Sequence, residues 1–276
     1  MIDAHFHIWR LDRADYGWLT PALGAIHRDV SLDDWRRARA NSGITAGVLV
    51  QAAPTEAETR YLLDQARAAP DVLGVVGWVD LLATDAAHRI RTLATDPKLV
   101  GVRPMLQDLP DPDWILQDRL APALEALQAA GRTFDALIKP VHVPRILALA
   151  ARYPVLRIVV DHGAKPAIAA GQWDDWAEGM RQLAGLPQVF CKLSGLWTEA
   201  GAGAPVAVLA PYVRHLLDCF GPQRLLWGSD WPVLELAGDY PVWHAAARAA
   251  VPHADAAQVF AATALRAYRI DHPPAG

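Results

Sequence analysis

Met1-Ile2-Asp3-Ala4-His5-Phe6-His7-Ile8 opens the chain and alternates apolar with polar residues. Period-two patterning reads as a β-strand, in which residues i and i+2 share a face. Asp3, His5 and His7 then point one way, and Ile2, Ala4, Phe6 and Ile8 the other. Two imidazoles converging near a strand end suit a metal site or an acid–base site; a hydrogen-bonded pair of surface histidines is the simpler alternative. A dinucleotide-binding fold would place a Gly-rich turn after the first strand. This chain carries the histidines there, followed by a long Trp-, Pro- and Gly-containing connection over 9–30, so no nucleotide cofactor is expected.

The pattern then recurs. Short apolar, β-rich runs occupy 2–8, 44–51, 73–80, 99–104, 134–139, 156–162, 188–194 and 223–230. Amphipathic stretches near 32–41, 56–69, 84–95, 117–130, 143–152, 173–184, 205–220 and 240–250 alternate with them, and a last helix is expected over 255–267. Ser31, Thr55 and Thr84 stand where helix N-caps belong, and Gly43 and Gly131 where C-terminal caps do. About eight strand–helix units in 276 residues predict an α/β fold. The expected form is a single, distorted (β/α)8 TIM barrel over 1–276, its active site at the C-terminal ends of the strands. Gly201-Ala202-Gly203-Ala204-Pro205 reads as a flexible loop, not a domain boundary.

Composition narrows the partners. Hydrophobic residues make up 53% of the chain, ample for a sizeable core. A net charge of -4 and the absence of a Lys/Arg run argue against nucleic acid. Cys191 and Cys219 lie in apolar segments and read as free thiols, which fits a reducing cytoplasm. No signal-peptide pattern and no apolar run of bilayer length is present, so no membrane partner is expected. Monomer and homo-oligomer both stay open. Of eleven tryptophans, Trp35 and Trp243 read as packing residues. Trp9, Trp18, Trp78, Trp114, Trp197 and Trp231 lie beside loops, where an indole can floor a pocket for a ring-shaped ligand.

Barrel enzymes keep their chemistry at the strands' C-terminal ends, and here those ends are polar. They carry His5 and His7, Gln51, Trp78 and Asp80, Arg103, Lys139, Asp161 and His162, Lys192 and Ser194, and Ser229 and Asp230. Singly, each has a plain explanation. Arg103 and Lys139 can leave for solvent, Asp80 and Asp161 can cap the next helix, and His162 can be a satisfied core histidine. Lys192 inside an apolar strand is harder to dismiss, because a buried ammonium needs a carboxylate partner. Eight polar strand ends together point to a site.

These residues resemble the amidohydrolase superfamily, and within it the TIM-barrel lactonase branch of the amidohydrolase 2 group. The matching segments are Ile2-Asp3-Ala4-His5-Phe6-His7, Gly101-Val102-Arg103, Asp161-His162-Gly163-Ala164-Lys165-Pro166, Cys191-Lys192-Leu193-Ser194-Gly195-Leu196, Leu226-Trp227-Gly228-Ser229-Asp230-Trp231-Pro232 and the C-terminal 260–268. The resemblance implies that His5, His7, His162 and Asp230 are the site histidines and aspartate. Two-metal members carry a carboxylated lysine where this chain has Arg103, and metal-dependent members a histidine where it has Lys139. Arginine cannot bridge two metals. The expectation is therefore no required cofactor, or one divalent ion, zinc first, held by His5, His7 and Asp230 with His162 nearby.

The activity implied is hydrolysis of a sugar (aldono) lactone, such as an L-fucono- or L-rhamnono-lactone, to the open hydroxy acid. Asp230 would be the general base that activates water, with His5, His7 and His162 facing the developing oxyanion. Arg103 and Lys139 would orient the lactone and its carboxylate product, and Lys192 belongs to the same binding set. Gln51, Asp80 and Ser194 would meet hydroxyls, and Trp9, Trp78 and Trp197 the ring's apolar face. The alternatives are a metal-dependent non-oxidative decarboxylase, a lactonase of an aromatic-degradation intermediate, and a sugar-acid binding protein. No Gly-x-Ser-x-Gly elbow is present, and Ser194 lies at a strand end, so no covalent nucleophile is implied.

Overall fold

The computed structural model describes residues 1–271. Eight parallel strands lie in chain order: β1 Ile2–Phe6, β2 Ala46–Val50, β3 Val72–Gly77, β4 Leu99–Val102, β5 Thr133–Ala136, β6 Ile158–Val160, β7 Val189–Leu193 and β8 Leu225–Trp227. The last strand returns to the first. The seam is closed just beyond β8, where the Asp230 N–H donates to the His5 carbonyl and the His7 N–H to the Trp231 carbonyl, both at 2.8 Å. The barrel expected from the alternation of strands and helices is the barrel the chain forms.

Among the described residues ten α-helices accompany the strands: α1 Leu32–Ala38, α2 Glu56–Arg67, α3 Ala86–Leu93, α4 Ala121–Ala129, α5 Val143–Arg152, α6 Asp174–Ala184, α7 Leu196–Ala200, α8 Ala210–Phe220, α9 Tyr240–Ala250 and α10 Thr263–Tyr268. Ser31 and Thr55 cap α1 and α2, accepting from the Asp34 and Glu58 N–H groups. Thr84 does not cap α3. Asp85 precedes that helix and spends its carboxylate on Arg89 (2.7 Å). Gly131, at φ +66°, ends α4 as expected: its N–H reaches the Gln128 carbonyl and the Arg132 N–H reaches back to Leu127, the paired bonds of a left-handed helix stop. The short α7, directly before the 201–205 loop, has no counterpart in the sequence reading.

Two apolar sets form on the two faces of the sheet. Val48, Val50, Val76, Val100, Val159 and Leu226 fill the barrel interior with Ile2 and Ala4, and Ala264, Ala267 and Tyr268 of α10 pack against them. The opposite face meets the helices in one larger cluster. The first strand departs from strict alternation. Its pairing with β2 shifts register between Asp3 and Phe6; such irregularities re-aim side chains. Ile2 and Ala4 join the interior set, whereas Phe6 and Ile8 join the outer one. His5 and His7 still share a face, but Asp3 does not share it. Asp3 lies on the helix side, where its carboxylate accepts from Trp35 Nε1 (3.1 Å), Ser229 Oγ (2.6 Å) and Tyr240 OH (3.0 Å), as well as the Ser229 N–H (2.8 Å). Phe6 stacks on Trp35 with ring centroids 3.9 Å apart. Asp3 thus ties β1, α1, β8 and α9 together behind the histidines.

Glu58 does similar work after β2. Its buried carboxylate accepts from the Ala52 and Ala53 N–H groups, and Ala52 lines the site described below. Burial pushes its pKa from 4.5 up to about 7, against the lowering effect of those bonds. The folded form keeps this proton to near neutrality, while the unfolded chain releases it near its ordinary value. Stability from this group is therefore fully present below pH 4.5 and lost as pH rises through 7. At 1.36 kcal/mol per pH unit the whole span is worth about 3 kcal/mol, and the part between pH 6 and 7 about 1 kcal/mol. Calorimetric unfolding at pH 6 and pH 8 should show that loss, and Glu58→Gln should shrink it.

Candidate active site

The strand ends meet in one buried cluster. His5 Nε2 and His7 Nε2 face each other at 3.1 Å. Asp230 Oδ1 lies 3.6 Å from the first, 3.4 Å from the second and 3.9 Å from His162 Nε2. His7 Nδ1 is 2.7 Å from the Val50 carbonyl. A carbonyl only accepts, so the hydrogen is on Nδ1 and the Nε2 lone pair faces His5. His162 Nδ1 is 2.9 Å from Ser194 Oγ.

Backbone conformation aims two of these groups. His162, Gly163, Ala164 and Lys165 run consecutively at φ 54°, 55°, 59° and 50°, and Asp230 sits at φ 59°. A left-handed residue other than glycine costs about 1–2 kcal/mol, so the surroundings must hold the turn. The Gly163 carbonyl accepts from Trp176 Nε1 (2.7 Å), and the Lys165 N–H returns to the His162 carbonyl (2.9 Å). Gly195 is required alongside: its φ is +62°, and a Cβ there would lie 2.5 Å from His162 Nδ1.

Beneath the histidines lies a charge network. The Lys192 ammonium, fully buried, sits 2.7 Å from Asp135 Oδ2, 2.9 Å from Asp161 Oδ1 and 3.1 Å from His5 Nδ1. Tyr268 of α10 donates to Asp135 (2.6 Å), and Arg103 donates to Asp161 (3.1 Å) and to the Gln51 carbonyl. Burial raises the Asp135 pKa to about 6 against the pull of Lys192. Burial also presses on Asp161, but Lys192, His5 and Arg103 outweigh it and hold that carboxyl well below its usual range. Burial, then Lys192, drive the His5 pKa well down, and burial drives His162 to about 4. Both imidazoles are neutral at pH 7. Burial would raise Asp230 as well, yet His162, His7 and His5 hold it low, so it is ionised.

Above the cluster opens a cavity of about 220 Å³, bounded by His7, Arg103, His162, Lys165 and Asp230, with Trp18, Met105, Leu137 and Val233 among its apolar walls. A second cavity of about 480 Å³ adjoins it. The residues singled out in the sequence divide accordingly. His5, His7, His162, Asp230, Arg103, Lys192 and Ser194 come together. Gln51 is buried behind Arg103, donating to its carbonyl (2.8 Å). Trp78 and Asp80 line the second cavity. Trp9 and Trp197 line neither: their indole N–H groups are spent on the Arg28 and Ala204 carbonyls (both 2.8 Å). Lys139 is exposed and turns away, because β5 ends at Ala136 and the chain is already leaving the barrel.

Asp135, Tyr268 and Lys165 were not singled out. Asp135 carried a signal, an acid within the apolar run 134–139 that meets the need of Lys192 for a carboxylate. Lys165 carried none, since only the left-handed turn swings it to the cavity.

Two donor groups among the described residues have the make-up to hold an ion: His5, His7 and Asp230, and His5, Asp161 and His162. The first fits better. Its three separations, 3.1–3.6 Å, match the edge of a tetrahedron with zinc–ligand bonds of about 2.0–2.1 Å, and the bond to Val50 fixes the His7 tautomer as ligand support requires. In the second group Asp161 is already taken by Lys192 and Arg103.

Residues 2–270 match a family model described as Amidohydrolase. The chain is 50% identical over 280 residues to the L-fucono-1,5-lactonase of Burkholderia ambifaria, covering 99% of this chain and 96% of the relative. It is 36% identical over 292 residues to the L-fucono-1,5-lactonase of Burkholderia multivorans, covering 99% and 97%. A crystal structure of an amidohydrolase from Burkholderia multivorans with bound zinc superposes with a TM-score of 0.91 at 34% identity, over 98% of this chain and 99% of that one.

Removing Lys192 tests the network. Lys192→Met leaves two buried carboxylates without their shared cation and should cost about 3–5 kcal/mol in urea unfolding. Adding Asp135→Asn should recover part of that loss. Additive losses in the double variant would contradict the pairing.

Proposed function

The chain belongs to the amidohydrolase family, and from that premise we propose that it hydrolyses the ring ester of a sugar-acid lactone, with L-fucono-1,5-lactone as the first substrate to test. The observation that carries this reading is the convergence of three histidine rings on one ionised carboxylate, Asp230, at the floor of a cavity sized for a single ring. Met105, Leu137 and Val233 offer an apolar wall for the methyl group of a 6-deoxy sugar acid.

In this reading Asp230 takes a proton from water as the water oxygen attacks the lactone carbonyl carbon. The carbonyl π electrons move onto oxygen. The carboxylate opposite His162 favours the tautomer with hydrogen on Nε2, leaving Nδ1 to accept from Ser194, so His162 presents a donor to the cavity. Arg103, fixed by Asp161 and the Gln51 carbonyl, adds positive charge at the same floor. As the tetrahedral centre collapses, the bond from the carbonyl carbon to the ring oxygen breaks and Asp230 returns its proton to that oxygen. Water has been added and no other reactant is consumed. Lys165, ion-paired with Glu199 at 3.4 Å, supplies a cation for the new carboxylate at the cavity wall, the role expected of Lys139 from the sequence.

A divalent ion held by His5, His7 and Asp230, zinc being the first candidate, would supply Lewis acidity and a more acidic water. Lys192 and Arg103 already place two positive charges beside His5, so a single ion is the most this floor accommodates. No helix among the described residues is long and apolar enough to cross a membrane, and the free thiols Cys191 and Cys219 support a reducing, cytoplasmic setting.

Asp230→Asn should lower kcat on L-fucono-1,5-lactone by about 10²–10⁴-fold while the thermal melt stays cooperative. Near-wild-type turnover would remove the base assignment. Prolonged chelation followed by zinc titration in a calorimeter should show one site per chain, lost in His7→Ala. Full activity without restored metal would reduce the ion to a passenger.

A further inference from the structure

The second cavity is larger than the first, about 480 against 220 Å³, and the two share Trp18, Met105 and Asp108 as a common wall. Pockets of roughly 300–1,000 Å³ hold ligands of more than one ring. The reaction cavity suffices for a single lactone ring, so the second space is surplus to a monosaccharide substrate.

Its lining has a definite chemistry. The indoles of Trp78 and Trp114 join that of Trp18, whose N–H is fixed on the Ala52 carbonyl at 2.7 Å. Three carboxylates, Asp15, Asp80 and Asp108, lie among them, and no lysine or arginine belongs to the described lining. Asp15 is held through Oδ2 by Arg13 and Thr55 at 2.8 Å each. Indole faces suit the C–H face of a pyranose, carboxylates suit its hydroxyls, and the surplus of negative charge, with only Asp15 of the three paired to an arginine, disfavours anions.

We propose that this cavity is a subsite for a second, uncharged sugar ring carried as a glycosyl substituent on the lactone. Substrates of the chain then include glycosylated sugar-acid lactones, whose ester is hydrolysed while the glycosidic bond is left intact. This rests on the lactonase reading of the adjoining site.

The test compares one reacting ring with and without the extra sugar: L-fucono-1,5-lactone and its 2-O-, 3-O- and 4-O-β-galactosyl derivatives. At least one derivative should exceed the parent in kcat/KM by about tenfold, the value of one well-stacked ring. Trp114→Ala should return that ratio toward one, and Trp114→Phe should keep part of it; the ratio cancels any general loss of folded enzyme. Turnover of the parent with all three derivatives slower would overturn the subsite alone. A gain that survives Trp114→Ala would overturn it as well. No turnover of any of the four would overturn the lactonase reading, and this inference with it.

Discussion

A single ammonium group organises the molecule. Lys192 enters the barrel from β7 and meets Asp135 of β5, Asp161 after β6 and His5 of β1. Arg103, after β4, shares Asp161, and Tyr268 of α10 shares Asp135. Strands far apart in sequence are thereby drawn to common atoms. Desolvating four charges offsets much of their mutual attraction, so the arrangement contributes orientation more than stability. Burial, and then Lys192, leave His5 neutral, and the network holds its ring in place. Two cations facing two carboxylates also leave Asp230 as the one ionised acid of the floor that is not already matched to a cation.

The seam of the barrel and the chemistry of the site are the same few residues. Asp230 supplies the N–H that bonds to the His5 carbonyl, and its side chain then turns back toward His5 and His7. Its positive φ is how one residue does both. The left-handed turn at 162–165 solves the same problem after β6, placing His162 and Lys165 at the cavity wall. Strain at such positions persists only where the surroundings over-determine it. Here Asp161, Trp176, Ser194 and Gly195 surround the turn.

Periodicity carries face information only while a strand stays regular, and that limit separates what was legible in the sequence from what was not. The barrel was legible because eight apolar runs alternate with amphipathic ones. His5, His7, His162 and Asp230 were legible as strand-end residues that the cluster now brings together. Asp3 was misplaced onto the histidine face because the irregularity between Asp3 and Phe6 leaves no mark in the residue types. Lys139 lies three residues past the end of β5, where strand phase no longer says where a side chain points. Trp9 and Trp197 are large and loop-adjacent, as pocket residues are, but their N–H groups are claimed by backbone carbonyls. Asp135 was concealed by its apolar neighbours, although the need of Lys192 for a carboxylate pointed toward such a residue.

The contact between His5 Nε2 and His7 Nε2 bears on the metal question. Because Val50 holds the hydrogen of His7 on Nδ1, a lone pair faces His5 at 3.1 Å. Two lone pairs at that distance repel, a strain that a proton or a metal ion between them relieves and that Arg103 Nη1, 3.4 Å from His5 Nε2, lessens. With a proton there, His5 donates to His7 and accepts from Lys192 through Nδ1. With an ion there, both imidazoles are ligands, and the Nδ1 hydrogen of His5 must turn to Asp161, 3.6 Å away, beside an ammonium already bound to the same oxygen. The burial and the ammonium that keep His5 neutral therefore favour it as a ligand, while the network's cations oppose the incoming charge. Asp230 would weigh most on that balance, since it is the only carboxylate among the described residues within reach of both Nε2 atoms that no lysine or arginine has already claimed. In the proposed reaction the same carboxylate would set both how tightly an ion is held and how readily a water proton is taken, so changing it would alter both together.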